Sequence, residues 1–318
     1  MAFCHLLLRL FTKRKTVSNN TLENLICPGK EGDVVLLGFP HDEGVAINGG
    51  RPGAKSGPEK FRFWLNKYDT VENSRTESDI SNLKIADAGD ISPDISLEEA
   101  HSELTSRTGE ILQSGSIPFV VGGSNDQSYP NASALLDRTS GQVGVINIDA
   151  HLDVRPLKKG RAHSGSPFRL LMEDRRFSGN HFVEFASQEN QCSCEHAQFV
   201  LNNNGCIYWL DAIRQRDNVI DSFRSALNRL TEECQSIFVS FDLDSIAGSD
   251  APGVSCPGEI GLSTEEATAI AYHAGKHPAV DLFDLSEYNP AIEEERTGRL
   301  AVAIFYHFCI GYLERTQK

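Results

Sequence analysis

The stretch VGVINIDAHLD at residues 143–153 decides the fold, because an apolar run leads directly into two aspartates and a histidine. Four further runs are apolar in the same way, without regular alternation between apolar and polar residues. Runs of this kind are typical of strands that are buried on both faces of a parallel sheet. The predicted strands are residues 34–38, 117–121, 143–148, 237–241 and 280–285.

Helical patterns separate these strands. Capping-box patterns begin at Ser96, where the helix can run to about residue 115, and at Ser263. Pro58 suits the first turn of another helix, and residues 221–234 carry apolar side chains at helical spacing. Strands that alternate with helices predict an α/β fold with a parallel sheet covered on both faces. We find no repeat or linker, so the sequence predicts one domain over residues 23–318.

The overall charge limits the classes of partner. The chain has 318 residues and a formal net charge of −14, with 40% hydrophobic and 23% charged residues, as in an ordinary globular protein. A strongly negative chain is a poor partner for nucleic acid or an anionic membrane. No apolar run is long enough to span a membrane. We therefore expect a small-molecule substrate.

Two features bear on the compartment. The eight cysteines are scattered and do not suggest a disulfide scaffold, which favours a reducing compartment. Residues 1–22 form a basic segment with no acid before Glu23. This composition suits a mitochondrial transit peptide, but an ordinary basic tail is the interpretation that we favour. We expect a cytoplasmic protein, with a mitochondrial location as the alternative.

Polar side chains follow four of the predicted strands directly. In parallel sheets, ligands bind beyond the carboxyl ends of the strands, so these side chains must converge. Gathered carboxylates repel one another strongly unless a cation lies among them. One imidazole with several carboxylates contains too much oxygen for structural zinc and suits manganese, and a pair of ions better than one. The converging residues are Asn125, Asp126, Asp149, His151, Asp153, Asp242, Asp244 and Glu287.

Five motifs resemble those of the arginase, agmatinase and formiminoglutamase superfamily, in the same order and over residues 34–312. DAHLD and SFDLD resemble its two signature motifs, and the other three resemble its glycine-rich loop, its first motif and its last motif. Their positions are GGRPGA at 49–54, GGSND at 122–126, DAHLD at 149–153, SFDLD at 240–244 and EYNP at 287–290.

Within this superfamily, the formiminoglutamase branch is the most similar. APGVS at 251–255, DAHLDVR ending at Arg155, and HSGSPF at 163–168 resemble that branch. The resemblance implies an arginase-type three-layer fold with a central, mostly parallel sheet of about eight strands. It implies hydrolysis of N-formimino-L-glutamate to L-glutamate and formamide, in histidine degradation, by a hydroxide that bridges two Mn²⁺ ions per subunit. It also implies a homo-oligomer, a trimer or a hexamer.

The resemblance assigns a role to each matching residue. Asp149 and Asp242 would bridge the two ions. Asp153 and Asn125 would complete the coordination of the first ion, and Asp153 would also hydrogen-bond the hydroxide. His151 and Asp244 would complete the coordination of the second ion. The remaining candidates are His163 as proton shuttle, Glu287 as the group that holds the substrate amidinium, and Arg155, Arg51 and Asn48 as substrate-binding residues.

One position departs from the family pattern, because histidine usually stands where this chain has Asn125. An amide oxygen can bind Mn²⁺ but is a weaker ligand than imidazole, so the first ion should be held less tightly. The alternative is a half-lost site that binds one ion or none. Two functional alternatives remain: another amidine or guanidine hydrolase (an agmatinase, guanidinobutyrase or arginase), and a non-catalytic arginase-like protein. Arg155 could instead pair with a nearby acid.

Overall fold

The computed structural model describes residues 21–69 and 79–316, and within them nine strands form one sheet in which every neighbouring pair is parallel. In chain order the strands are β1 (Ile26–Pro28), β2 (Val34–Phe39), β3 (Ile85–Asp90), β4 (Ile117–Gly122), β5 (Gln142–Ile148), β6 (Phe182–Ser187), β7 (Cys206–Trp209), β8 (Cys234–Asp242) and β9 (Val280–Ser286). Their order across the sheet is β1-β3-β2-β4-β9-β8-β5-β6-β7. The predicted parallel sheet of about eight strands is confirmed.

Helices cover both faces of this sheet. In chain order they are α1 (Glu43–Asn48), α2 (Gly57–Leu65), α3 (Leu97–Gln113), α4 (Ser128–Arg138), α5 (Pro167–Glu173), α6 (Cys194–Asn202), α7 (Leu210–Arg216), α8 (Val219–Thr231), α9 (Thr264–Lys276) and α10 (Glu295–Thr316). Helices α2 and α7–α10 share one apolar core, and α3–α6 share the other. Neighbouring strand residues alternate between the two cores: Val34 belongs to the first and Val35 to the second.

Local signals explain where several helices begin. Both capping boxes are present, at Ser96 for α3 and at Ser263 for α9. Pro58 lies in the first turn of α2 as predicted. Helix α8 ends at Thr231, before the predicted residue 234, because β8 begins at Cys234. The sequence analysis did not predict α10, which packs against α9 and α2.

The predicted basic segment, residues 1–22, lies outside the described residues except for Thr21 and Leu22, and Leu22 is fully buried in the core. Among the described residues, no helix has the length and apolar character needed to cross a membrane.

Strands β4, β9, β8 and β5 are consecutive neighbours in the middle of the sheet. Asn147 of β5 is in register with Ser240 of β8, and Asp242 of β8 is in register with Ser286 of β9. This register places the segments that follow these strands side by side. The fold therefore brings the predicted polar clusters together at one edge.

Candidate metal centre

A cavity of about 200 Å³ opens at the carboxyl ends of the central strands. Its lining includes four of the predicted metal ligands, together with Glu287, Asn48 and Arg155. The four ligands are His151, Asp153, Asp242 and Asp244. Residues that are distant in the sequence thus share one concave site, as predicted from the strand ends.

Two groups of side chains have ligand atoms close enough to hold an ion. In each group, one ligand atom per residue lies within 4.8 Å of the others: Asp149 with His151 and Asp153, and Asp149 with Asp242 and Asp244. His151 Nδ1 is 3.3 Å from Asp149 Oδ1 and 3.2 Å from Asp244 Oδ2. Both groups contain Asp149, as expected of a carboxylate that bridges two ions, but the first group combines His151 with Asp153, which were predicted to bind different ions.

Backbone hydrogen bonds fix the aspartates that follow β5 and β8. Asp149 Oδ1 accepts from the backbone N–H of His151 at 2.7 Å, and Asp242 Oδ1 accepts from that of Asp244 at 2.9 Å. An aspartate commonly bonds to the backbone two residues on, which explains the D-x-H and D-x-D spacing. Asp153 and Glu287 have left-handed backbones, with φ of 41° and 66°. Such conformations cost about 1–3 kcal/mol each for residues other than glycine and cluster at functional sites.

The electrostatics of this cluster are unfavourable without a cation. Burial, followed by the charge of neighbouring carboxylates, raises the pKa of Asp153, Asp242 and Glu287 well above the usual range. Burial also raises the pKa of Asp244 to about 6. Burial lowers the pKa of His151, but Asp244 and Asp149 outweigh it, so this pKa is raised well above its usual value. The protein holds several acids where their charges repel.

Two buried oxygens in the cluster also lack hydrogen-bond partners, Asp244 Oδ1 and Glu287 Oε2. Buried polar atoms are normally paired, so these two oxygens indicate ligands or substrate contacts. A set of carboxylates with one imidazole fits hard divalent ions such as Mn²⁺. The side chains present therefore fit the predicted binuclear manganese site.

Asn125 lies in this cluster and is fully buried. Its amide Nδ2 donates to Asp153 Oδ2 at 2.9 Å, and its backbone N–H donates to Glu287 Oε1 at 3.0 Å. Its amide oxygen accepts from the hydroxyls of Ser128 and Ser286, both at 2.9 Å. Asn125 therefore stands at the predicted position, with its nitrogen end towards Asp153.

Arg155 and Asn48 line the cavity as predicted. Arg155 Nη1 donates to Asn48 Oδ1 at 3.2 Å, and Asn48 Nδ2 donates to the hydroxyl of Ser164 at 3.0 Å. Within the described residues, the side-chain hydrogen bond of Arg155 is the one to Asn48, and Arg155 forms no ion pair with an acid, which does not support the alternative in which it pairs with a nearby acid. Its guanidinium retains donors for a ligand.

Arg51 has a different environment from Arg155. Its Nε donates to the carbonyl of Ser255 and its Nη2 to that of Val254, both at 2.9 Å. These bonds tie the glycine-rich loop to the segment that brings Ser255 and Cys256 to the cavity wall. Arg51 is not among the residues described as lining the cavity, so its predicted contact with substrate is unsupported.

The predicted proton shuttle, His163, is not among the residues that line the cavity. The ring is fully buried, Nε2 lies 3.0 Å from the carbonyl of Pro156, and Nδ1 accepts from the N–H of Gly165 at 3.2 Å. Both ring nitrogens are therefore bonded to backbone. The neighbouring residue, Ser164, lines the cavity instead.

Five residues that line the cavity were not among the predicted site residues: Gly49, Gly50, Ser164, Ser255 and Cys256. Ser164 lies inside the HSGSPF stretch, in which His163 was the predicted site residue because histidine is the more common proton carrier. Cys256 directly follows the APGVS stretch. Asp126, by contrast, lies next to the site but bonds to His101 Nε2 at 2.5 Å.

Together, the fold and the acidic cluster define a metal-binding α/β protein of the kind that the motifs predicted. The sequence profile of the arginase family matches residues 32–311, and the chain belongs to that family. The formimidoylglutamase of Geobacillus thermodenitrificans is 32% identical over 297 residues, which cover 89% of this chain and 84% of that protein.

Solved structures give a second comparison. The formiminoglutamase of Trypanosoma cruzi with Mn²⁺₂ is 46% identical, has a TM-score of 0.86, and the match covers 97% of this chain and 98% of that chain. An asparagine-to-histidine variant of the same enzyme with Mn²⁺₂ is 45% identical, with a TM-score of 0.86 and the same coverage. The arginase-type fold expected from the motifs is thereby confirmed.

Proposed function

We propose that this chain is a binuclear manganese hydrolase that converts N-formimino-L-glutamate to L-glutamate and formamide. The observation that carries the proposal is the polarity of the cavity. Carboxylates occupy the end formed by β5, β8 and β9, and Arg155, without an acidic partner, lines the same cavity. The substrate has matching ends, a cationic formimino group and two carboxylates. The similarity to formiminoglutamases supports the same substrate.

The metal ligands that we propose are the six predicted residues. Asp149 and Asp242 would bridge the ions, Asp153 and Asn125 would complete one, and His151 and Asp244 the other. When bound, the ions supply Lewis acidity and lower the pKa of a coordinated water. The manganese in the similar T. cruzi structures supports this choice of metal.

Glu287 and Arg155 would orient the substrate. Glu287 Oε1 is held by the backbone N–H of Asn125, which leaves Oε2 without a partner and free for an N–H of the formimino group. The planar guanidinium of Arg155 can bind a carboxylate through two parallel hydrogen bonds. Fixing both ends places the formimino carbon beside the metal ligands and makes the reaction effectively intramolecular.

We assign the proton transfer to Asp153. Its side chain lines the cavity, and the resemblance to the family implies that its carboxylate hydrogen-bonds the attacking hydroxide. A carboxylate in that position can accept the proton of the hydroxide and pass it to the leaving nitrogen, as general acid–base catalysis requires. His163 would hold the backbone that presents Ser164.

Agmatinase activity is the nearest alternative. Agmatine carries an amine at the end where formiminoglutamate carries carboxylates, and this amine would meet Arg155 and be repelled. A non-catalytic role would require that the ligand set hold no metal. The unpaired oxygens of Asp244 and Glu287 favour a loaded site.

One assay tests the proposal: manganese-reconstituted protein with formiminoglutamate, arginine, agmatine and guanidinobutyrate side by side. We expect kcat/KM for formiminoglutamate to exceed the others by at least about a hundredfold. A higher value for any other substrate would overturn the assignment. A protein that binds no Mn²⁺ would support the non-catalytic alternative.

The oligomeric state and the compartment stay predictions. We propose a homo-oligomer, a trimer or a hexamer, in the cytoplasm. Analytical ultracentrifugation tests the first, and fractionation of cells that express the full chain tests the second.

A further inference from the structure

The surroundings of Asn125 pose a question of orientation. An amide has an acceptor end and a donor end, and only the oxygen can bind a metal ion. In the structure the nitrogen faces Asp153 Oδ2 at 2.9 Å, whereas the oxygen lies between the hydroxyls of Ser128 and Ser286. The oxygen must exchange places with the nitrogen before it can face the ligand cluster.

The two serines tolerate both orientations. A hydroxyl donates to the amide oxygen in one orientation and accepts from the amide N–H₂ in the other, because it carries one proton and two lone pairs. Turning the amide by half a turn about its last side-chain bond exchanges the two ends. Without a cation this turn sets the amide oxygen against the Asp153 carboxylate, so the observed orientation is the favourable one.

When the Ser128 hydroxyl accepts from the amide, its own proton can be donated to another acceptor. This hydroxyl lies 3.2 Å from Asp284 Oδ2 and 3.0 Å from the hydroxyl of Ser240. Asp284 is held in turn by Asn131 Nδ2 at 2.9 Å. All these side chains are fully buried, so water cannot take over any of these contacts.

We propose that Ser128 and Ser286, with Asp284 behind Ser128, are positioning residues that let the Asn125 amide turn its oxygen to the first metal ion. In the loaded protein the amide N–H₂ donates to the two serine hydroxyls, and the proton of Ser128 points to Asp284. The inference rests on the proposed manganese site, and it explains how a neutral amide serves both states of the site.

The test is a Mn²⁺ titration of chelator-stripped protein, with free Mn²⁺ measured by electron paramagnetic resonance. We expect the wild-type chain to bind two ions, one more weakly. Ser128→Ala should raise the Kd of the weaker ion by at least about tenfold and leave the tighter ion within about twofold, since one acceptor for the turned amide is lost. Ser286→Ala should act in the same direction. Ser240→Ala is the matched control, because Ser240 contacts Ser128 and not Asn125, and about threefold is the largest change expected.

A double-mutant cycle separates amide orientation from general packing. In an Asn125→Asp background both ends of the side chain are oxygens, so Ser128→Ala should change the Kd by less than about threefold. An unchanged Kd in both single serine variants overturns the inference, as does an equal loss in the Asn125→Asp background. A wild-type chain that binds no Mn²⁺ overturns the proposed function, and the inference with it.

Discussion

Two groups of carboxylates lie at the same edge of the sheet but differ in their counter-charge. In β3, Asp87 accepts from Arg62 of α2 at 2.7 and 2.9 Å, and Asp90 accepts from the same guanidinium at 2.6 Å. After β5, β8 and β9, the acids have no arginine or lysine ion-pair partner among the described residues. Both regions thus collect acids, and only the central region lacks an arginine or lysine partner for them.

The pKa values of the two groups differ in the same sense. Burial raises the pKa of Asp87, but the hydrogen bond and charge of Arg62 outweigh it, and this pKa is lowered. Burial and the charges of Asp244 and Asp149 raise the pKa of Asp242. A negative charge is therefore favourable on Asp87 in β3 and unfavourable on Asp242 at the end of β8. The position of an acid at the sheet edge does not by itself identify a metal ligand; the absence of a protein cation does so only together with the convergence of several ligand atoms.

The largest effect is expected from Asp242→Asn. Loss of a bridging carboxylate should abolish manganese binding and lower kcat/KM by at least about a thousandfold. In chelator the variant should be as stable as the wild type or more so, because one buried like charge is removed. Enzyme assays, elemental analysis and thermal unfolding check the three statements. Retention of full manganese content would remove Asp242 from the ligand set.

Asp87→Asn should have contrasting effects on stability and on activity. It removes a charge that is favourably paired, so the free energy of unfolding should fall by about 1–3 kcal/mol. Manganese content and kcat/KM should stay at wild-type values, because Asp87 is not among the residues that line the cavity. Urea unfolding with a parallel assay measures both. A loss of activity without a loss of stability would contradict the contrast between the two regions.

Arg155→Lys should lower kcat/KM for formiminoglutamate by at least about tenfold, equivalent to about 1.4 kcal/mol of transition-state binding. A lysine keeps the charge but cannot form two parallel hydrogen bonds with a carboxylate. Arg51→Lys is the matched control, because Arg51 bonds to backbone carbonyls, and its kcat/KM should change less. Wild-type kinetics in Arg155→Lys would remove this residue from the substrate site.

The metal-free protein should lose stability as the pH rises from about 5 to about 8, by at least about 1 kcal/mol. Asp242, Asp244 and Asp153 have raised folded pKa values, so the folded chain keeps protons that the unfolded chain has released. His151 also has a raised pKa, and its contribution is lost as the pH rises through that value. Asp87, with its lowered pKa, loses its contribution only in more acidic solution.

Denaturant unfolding in chelator and in Mn²⁺ measures this effect. Burial raises the pKa of Asp284 to about 7, so this group should also lower the stability as the pH rises. Manganese should reverse the trend, because ions bind the deprotonated ligands. A metal-free protein that becomes more stable over this range would show that the central carboxylates are compensated by the protein itself.

Much of the central region could be predicted from the sequence. The five predicted strands are β2, β4, β9, β8 and β5, which are contiguous in the sheet. They are buried on both faces, so most of their residues are apolar. The flanking strands are β1, β3, β6 and β7, whose residues are more mixed: β3 reads IADAGD, and β6 carries the buried Glu184. Apolar runs do not reveal these strands in the sequence, because residues that are distant in the sequence cover them in the fold.

The site shows the same limit. Metal-ligand spacing is local, so D-x-H-x-D and D-x-D could be read directly from the chain. Whether the His163 ring lines the cavity, by contrast, depends on which side of its loop faces the cavity. The contacts of the ring with Pro156 and Gly165 turn it away. Arg51 and Arg155 are equally plausible in the sequence. Only tertiary contacts reveal that one is bonded to carbonyls and the other is free of acids.

The smallest effect is expected from Asn125→His, which tests how the central region holds its cation. Imidazole restores the residue that the family usually has and is the stronger ligand, so the Mn²⁺ concentration for half-maximal activity should not rise. Activity should stay within about threefold of the wild type, because the bridging acids and Glu287 are unchanged. The measurement is a Mn²⁺ titration of activity together with the Kd of each ion. The side chain is fully buried, so the ring must use the space now shared with Asp153, Ser128 and Ser286. If the variant folds but loses the first ion, Asn125 acts by donating to Asp153 and not as a ligand. The central region would then resemble the β3 cluster more closely, with a protein donor compensating one of its acids.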